Sequence, residues 1–234
     1  MQPELQPIRT GNSAPARDYA EQQHRVLRNT YWLLAVSLVP TVIGAAIGTH
    51  VDFGFLRASP MLSFFGVLVI FYGWIFAIQR NRNSSLGVVL LLGFTLFMGV
   101  LLGPLFQRVL GFSNGIELVM LAAGGTAAVF FVMAGVATTT KRDLTALGHF
   151  LAVGAIVIML GVIANVFFAS PVAYLVIVAA FVLFSSLVIL WQINAIVRGG
   201  ETNYISATLQ LYVAAYNLFT SLLQLLGIFG GNRN

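Results

Sequence analysis

The sequence predicts an all-α integral membrane protein built as a seven-transmembrane-helix bundle, and three observations predict it. The chain is 59% hydrophobic and 8% charged, against about 25% charged residues in soluble domains. Its apolar residues gather into seven runs, each near the roughly 20 residues that cross a hydrocarbon core. The last run carries Asn203, Gln210, Asn217 and Gln224 at steps of seven, with Ala214 and Ser221 on the same face. Acyl chains cannot satisfy amides, so that face belongs on the inner wall of a bundle or at a water-filled cavity.

Residues 1–29 are polar and carry Pro3, Pro7 and Pro15, without the apolar core and small-residue cleavage site of a signal peptide. They read as a cytoplasmic tail, mobile over 1–15 and helical in composition over 16–30. The first apolar run is then an uncleaved anchor. The membrane domain is expected over 30–230, with 231–234 as a short external C-terminus. Within it the runs are Tyr31–Gly48, Pro60–Ile78, Leu86–Phe106, Ile116–Thr138, Leu147–Phe168, Val172–Ile196 and Ala207–Phe229. Only Ala169, Ser170 and Pro171 separate the fifth from the sixth, which predicts a tight hairpin.

Loop cations set the orientation. With the N-terminus inside, the cytoplasmic loops hold Arg9, Arg17, Arg25, Arg28, Arg80, Arg82, Lys141, Arg142 and Arg198, and the outer ones Arg57, Arg108 and Arg233. That asymmetry predicts N-in and C-out. The net charge of +5 is spread over these loops and reads as membrane orientation; no nucleic acid is expected as a partner. The principal partner is the lipid bilayer.

Small residues suggest where helices approach. Gly44 and Gly48 form one GxxxG pair and Gly99 and Gly103 another; Gly66/Gly73 and Gly154/Gly161 repeat at seven, and Gly124 and Gly125 adjoin. Small faces bring backbones close enough for dispersion contacts that lipid does not supply.

Catalytic chemistry is missing. The chain has no cysteine, and its one lysine, Lys141, lies in a loop, so a retinal Schiff base has no anchor. No GxSG or H-E-x-x-H motif occurs, and Asp18, Asp52 and Asp143 fall outside the runs. Glu117 and His149 sit at span ends, and His24, His50 and His149 are on separate segments, so no metal site is expected. Neither an enzyme nor a cofactor is expected. What remains is amide and hydroxyl chemistry. Ser185 and Gln192 stand a heptad apart on the sixth span, beside Asn194, and Asn165 is in line with Gly154 and Gly161 on the fifth. With Asn203, Gln210, Tyr212, Asn217 and Gln224 they suggest either interhelical hydrogen bonding or a polar crevice between the sixth and seventh spans.

The stretch Gly199-Gly200-Glu201-Thr202-Asn203-Tyr204-Ile205-Ser206-Ala207-Thr208, then Leu211-Tyr212 and Asn217-Leu218-Phe219, resembles the C-terminal signature of the transmembrane Bax inhibitor motif family. Gly103-Pro104-Leu105, Thr126-Ala127 with Phe130, and the loop Thr140-Lys141-Arg142-Asp143-Leu144 fit the same family, most closely its YccA-like proteobacterial branch. The resemblance covers essentially residues 25–230. It implies seven helices with the seventh central and the others wrapped around it. It also implies a pH-sensitive calcium leak governed by two aspartates on the sixth and seventh spans. At the matching positions this chain has Gln192 and Ala214, which cannot titrate, and that counts against the calcium role. A hydrogen bond from Gln192 to Asn217 or a backbone carbonyl would lock these helices independently of pH.

The same branch is associated with the FtsH membrane protease and its prohibitin-like companions. The expected role is a non-enzymatic inner-membrane protein that is a modulator or substrate of FtsH, held through its cytoplasmic tail. The alternative is an ion leak through the crevice, for which a neutral lining would bind calcium weakly.

Overall fold

The computed structural model describes residues 14–54 and 58–232, the side chains of 14–20 excepted. Most of the tail expected to be mobile, together with Arg9, Arg57 and Arg233, lies outside the described residues. The helices are α1 (Ala14–Gly48), α2 (Pro60–Arg80), α3 (Ser85–Leu101), α4 (Gly103–Val109), α5 (Gly115–Thr139), α6 (Thr145–Phe168), α7 (Pro171–Val197) and α8 (Tyr204–Gly230). Among the described residues seven helical segments are long and apolar enough to cross a membrane, α3 and α4 together making the third.

Local chemistry explains the punctuation. The third run, expected to be one helix, breaks at Leu102. Pro104 has no N–H to give the Val100 carbonyl; Leu102 N–H turns back to the Gly99 carbonyl at 2.9 Å, and α4 restarts with Pro104 in its first turn. The hairpin between α6 and α7 is as tight as expected. Ala169 takes a left-handed conformation with φ 46°, and its N–H bonds the Asn165 carbonyl at 2.9 Å. The Asn165 side chain takes the Ser170 N–H at 3.1 Å, and the Ser170 hydroxyl caps α7 by accepting from Ala173 N–H. Asn165 thus serves the turn, with Gly154 and Gly161 in ordinary contact with Phe184 and Ile177.

The glycine pairs divide. Gly44 and Gly48 on α1 pack directly against Gly99 and Gly103, so that a β-carbon on any of the four would strike backbone atoms of the other helix. Gly66 and Gly73 on α2, and Gly124 on α5, have nothing within 4 Å. The same spacing marks a helix crossing in one place and an open face in the other.

Hydrogen bonds lace each end of the bundle. At one end the α7–α8 loop gathers its neighbours: Asn203 Nδ2 donates to the Arg82 carbonyl at 2.9 Å, Arg198 to the Thr140 carbonyl at 3.4 Å, and Gln23 of α1 lies against Gly199. At the other end Gln107 Nε2 reaches the Gly48, Thr49 and Val51 carbonyls at 3.2, 3.2 and 2.9 Å. There too Asn114 Nδ2 donates to the Gly230 carbonyl at 2.7 Å. Between the ends Ile78, Leu91, Phe94, Ile189, Ile193, Leu211 and Leu218 form the buried core.

Candidate functional site

Gln192 and Asn194 of the sixth span form no side-chain hydrogen bond to the seventh among the described residues. On α7, Gln192 and Asn194 are 1% and 3% exposed, but two residues along a helix turn them about 200° apart. Asn194 faces α5 and the loop beyond it. Its Nδ2 donates to the Ala137 carbonyl and its Oδ1 accepts the Leu144 N–H, both at 3.4 Å. Gln192 lies on the face of Ser185, and both are buried with Nε2 and Oγ respectively lacking any hydrogen-bond partner among the described residues. The bond expected from Gln192 Nε2 to Asn217 is not formed.

On α8 the polar groups fan out to several helices. Asn203 is the N-cap, its Oδ1 accepting from Ile205 and Ser206 N–H at 3.0 Å each. Ser206 donates to Gln79 Oε1 of α2 at 2.8 Å, and Thr208 to the Thr30 carbonyl of α1 at 3.3 Å. The Tyr212 hydroxyl meets Thr41 Oγ1 at 2.8 Å and the Thr95 carbonyl at 3.3 Å, and Tyr216 donates to the Met98 carbonyl at 3.1 Å. Gln224 Oε1 accepts from the Tyr174 hydroxyl of α7, while its Nε2 donates to the Thr220 carbonyl at 3.0 Å. Gln210 and Asn217 are half-buried and Ala214 is buried. No described residue from 205 to 227 is exposed.

Two grooves open on this framework, neither of them lined by Gln192 or Asn194. One, of about 500 Å³, lies between α1 and the α7–α8 loop, with Glu21, Arg25, Asn29, Thr202 and Tyr204 on its walls. The other, of about 450 Å³, is at the opposite end, where Gln224 shares it with Arg108 and Tyr174. Reasoning from sequence missed Tyr174 and Arg108. In an antiparallel hairpin the start of α7 meets the end of α8, so pairing those ends would have brought Tyr174 to Gln224.

The polar side chains of the sixth and seventh spans are neutral, amides and hydroxyls that hydrogen-bond without titrating near pH 7, while the grooves add the charged Glu21, Arg25 and Arg108. A carboxylate held away from its ordinary value stands in the α5–α6 loop. Asp143 is held below its ordinary carboxylate value, first by the Thr145 hydroxyl, then by the Thr145 N–H, with Arg198 contributing. Its Oδ1 accepts both bonds, at 2.6 and 2.9 Å.

The family described as inhibitor of apoptosis-promoting Bax1 matches residues 23–231. A protein of Neisseria meningitidis serogroup A is 46% identical over 206 residues, covering 87% of this chain and 91% of its own. The Escherichia coli K12 protein named modulator of FtsH protease YccA is 41% identical over 204 residues, covering 87% of this chain and 90% of its own. Its counterpart in Escherichia coli O6:H1, at the same identity and coverage, is named inner membrane protein YccA.

Proposed function

The chain belongs to the family of inhibitors of apoptosis-promoting Bax1, and from that premise we propose a non-enzymatic, multi-pass inner-membrane protein that modulates the FtsH protease. One observation carries the reading: 41% identity, over 87% of the chain, to the Escherichia coli relative named for that activity. The second relative's name supports the inner membrane as its place.

In this reading α8 is the central helix. Its polar groups bond to α1, α2, α3 and α7, which supports a post around which the other spans wrap. The end that carries the loops with Arg80, Arg82, Lys141, Arg142 and Arg198 faces the cytoplasm by the positive-inside rule. The N-terminus is then inside and the C-terminus outside. Residues 1–29 serve as the cytoplasmic handle offered to FtsH and its prohibitin-like companions, 30–230 as the membrane domain, and 231–234 as the external end. A bundle locked by close glycine packing and laced at both ends resists extraction, so the protease engages the tail without consuming the whole.

Proteoliposomes holding FtsH and a membrane substrate test this. Adding the full-length protein should change substrate turnover, and a form lacking residues 1–20 should neither change it nor be processed. Turnover indifferent to the full-length protein would sink the reading. A reporter fused after Asn234 that is active only outside the cytoplasm checks the orientation.

A further inference from the structure

Seven of the eight cations with described side chains lie at the end of the bundle laced by the α7–α8 loop; Arg108 stands at the other. It is exposed and neither hydrogen-bonds nor ion-pairs with any described residue. As the one guanidinium at that end among the described residues, and without a protein partner there, it is left to water and lipid headgroups.

The groove beside it supplies the rest of a site. About 450 Å³ in volume, it falls in the range of small-ligand pockets. Leu105, Val109 and Phe112 give it an apolar floor, and Tyr174 and Gln224 a polar wall. The wall is fixed, because the Tyr174 hydroxyl donates to Gln224 Oε1 and Gln224 Nε2 is tethered to the Thr220 carbonyl. Arg108 lies in the last turn of α4, Tyr174 in the first turn of α7, and Gln224 within two turns of the end of α8. All three therefore stand at the level where hydrocarbon gives way to headgroups, the depth at which tyrosine and arginine anchor.

We propose that this groove binds one anionic phospholipid, its phosphate on Arg108 and one acyl chain along the Leu105–Val109–Phe112 floor. Guanidinium matches phosphate through paired charge-assisted hydrogen bonds. A headgroup with net negative charge is favoured over a zwitterionic one, whose own ammonium competes with Arg108 for the phosphate. Basic pockets between membrane helices recognise lipid headgroups in this way.

The test is lipid retention by native mass spectrometry on the full-length protein in detergent, titrated with phosphatidylglycerol or with phosphatidylcholine of the same chains. One phosphatidylglycerol should bind in preference to phosphatidylcholine. Arg108→Gln should weaken it at least about tenfold, since one charge-assisted hydrogen bond alone is worth that much and Arg108 makes a pair, while Arg82→Gln at the opposite end leaves it unchanged. Gly227→Leu probes the floor separately: its first added carbon would sit 3.6 Å from Val109 and 3.7 Å from Phe112, so the side chain fills the groove and should displace the lipid. The proposal is overturned if Arg108→Gln keeps the preference, if Gly227→Leu retains the lipid, or if inorganic phosphate competes as well as the lipid does.

Discussion

A β-carbon on Gly44 would stand 3.1 Å from the Cα of Gly99 and press on the Leu96 carbonyl oxygen. The α1–α3 crossing has no room for a single methyl group, and the atoms in the way are backbone, which cannot rotate aside. Gly44→Ala and Gly99→Ala should each destabilise the fold by about 1–3 kcal/mol, the usual cost of overpacking. At Gly66 and Gly73, where nothing lies within 4 Å, the same change should be neutral or add up to about 1 kcal/mol through helix propensity. Melting midpoints in detergent separate the two classes; equal losses at all four positions would contradict the crossing.

Tyr212 ties α8 to α1 and α3 at once. Its hydroxyl meets Thr41 Oγ1 and the Thr95 carbonyl, and its ring stands edge-on to Phe94 with centroids 6.1 Å apart. Tyr212→Phe keeps the ring and should cost about 0.5–1.5 kcal/mol. A double-mutant cycle with Thr41→Val should return a coupling of about 0.6 kcal/mol, typical between membrane helices. Additive losses would mean that the 2.8 Å contact contributes nothing.

Much of this architecture was legible in residue order, and what was not has a physical cause. The second to seventh spans begin and end within three residues of the apolar runs, the largest gaps being Tyr204 against Ala207 and Val109 against Phe106. The first starts earlier, because a polar helix leaves no hydropathy signal; there the composition of 16–30 reads as helical, and α1 begins at Ala14. The Gly44/Gly48 and Gly99/Gly103 pairs mark faces of close approach, though not that these two meet, and Gly66/Gly73, spaced at seven, have nothing within 4 Å. Spacing reports which residues share a face, not whether that face meets protein or lipid. The amide line of the seventh span lies on a helix with no exposed residue from 205 to 227, as an inner wall requires. Its first and last members stand roughly 30 Å apart along α8, so the N-cap Asn203 meets the α2–α3 loop and Gln224 meets α7. The break at Leu102 was readable from Gly103-Pro104.

Asp143 fixes the sign of one pH dependence. Its carboxyl is depressed below the ordinary 3.8, first by the Thr145 hydroxyl. A depressed folded value means that the stabilisation is complete above the unfolded value and is lost as pH falls through the folded one. Stability from this loop should therefore be flat from pH 6 to pH 8. Asp143→Asn should melt below the wild type at pH 7, and the gap should close as pH is lowered past 3.8. A gap that opens and closes near neutrality would mean that another group titrates against this loop.

The buried amide of Gln192 gives the sharpest contrast with Asn194, its neighbour two residues on. Both are closed to solvent, yet Asn194 spends its side chain on Ala137 and Leu144 while Gln192 Nε2 has no described partner. A buried donor without an acceptor costs about 1–3 kcal/mol. Removing it with an apolar side chain of similar length should recover part of that cost, so Gln192→Met should raise the melting midpoint. Asn194→Leu, equally apolar, should lower it, because it strips a partner from the Ala137 carbonyl and from the Leu144 N–H. If Gln192→Met lowers stability as much as Asn194→Leu does, the amide is partnered in the membrane and contributes to the fold.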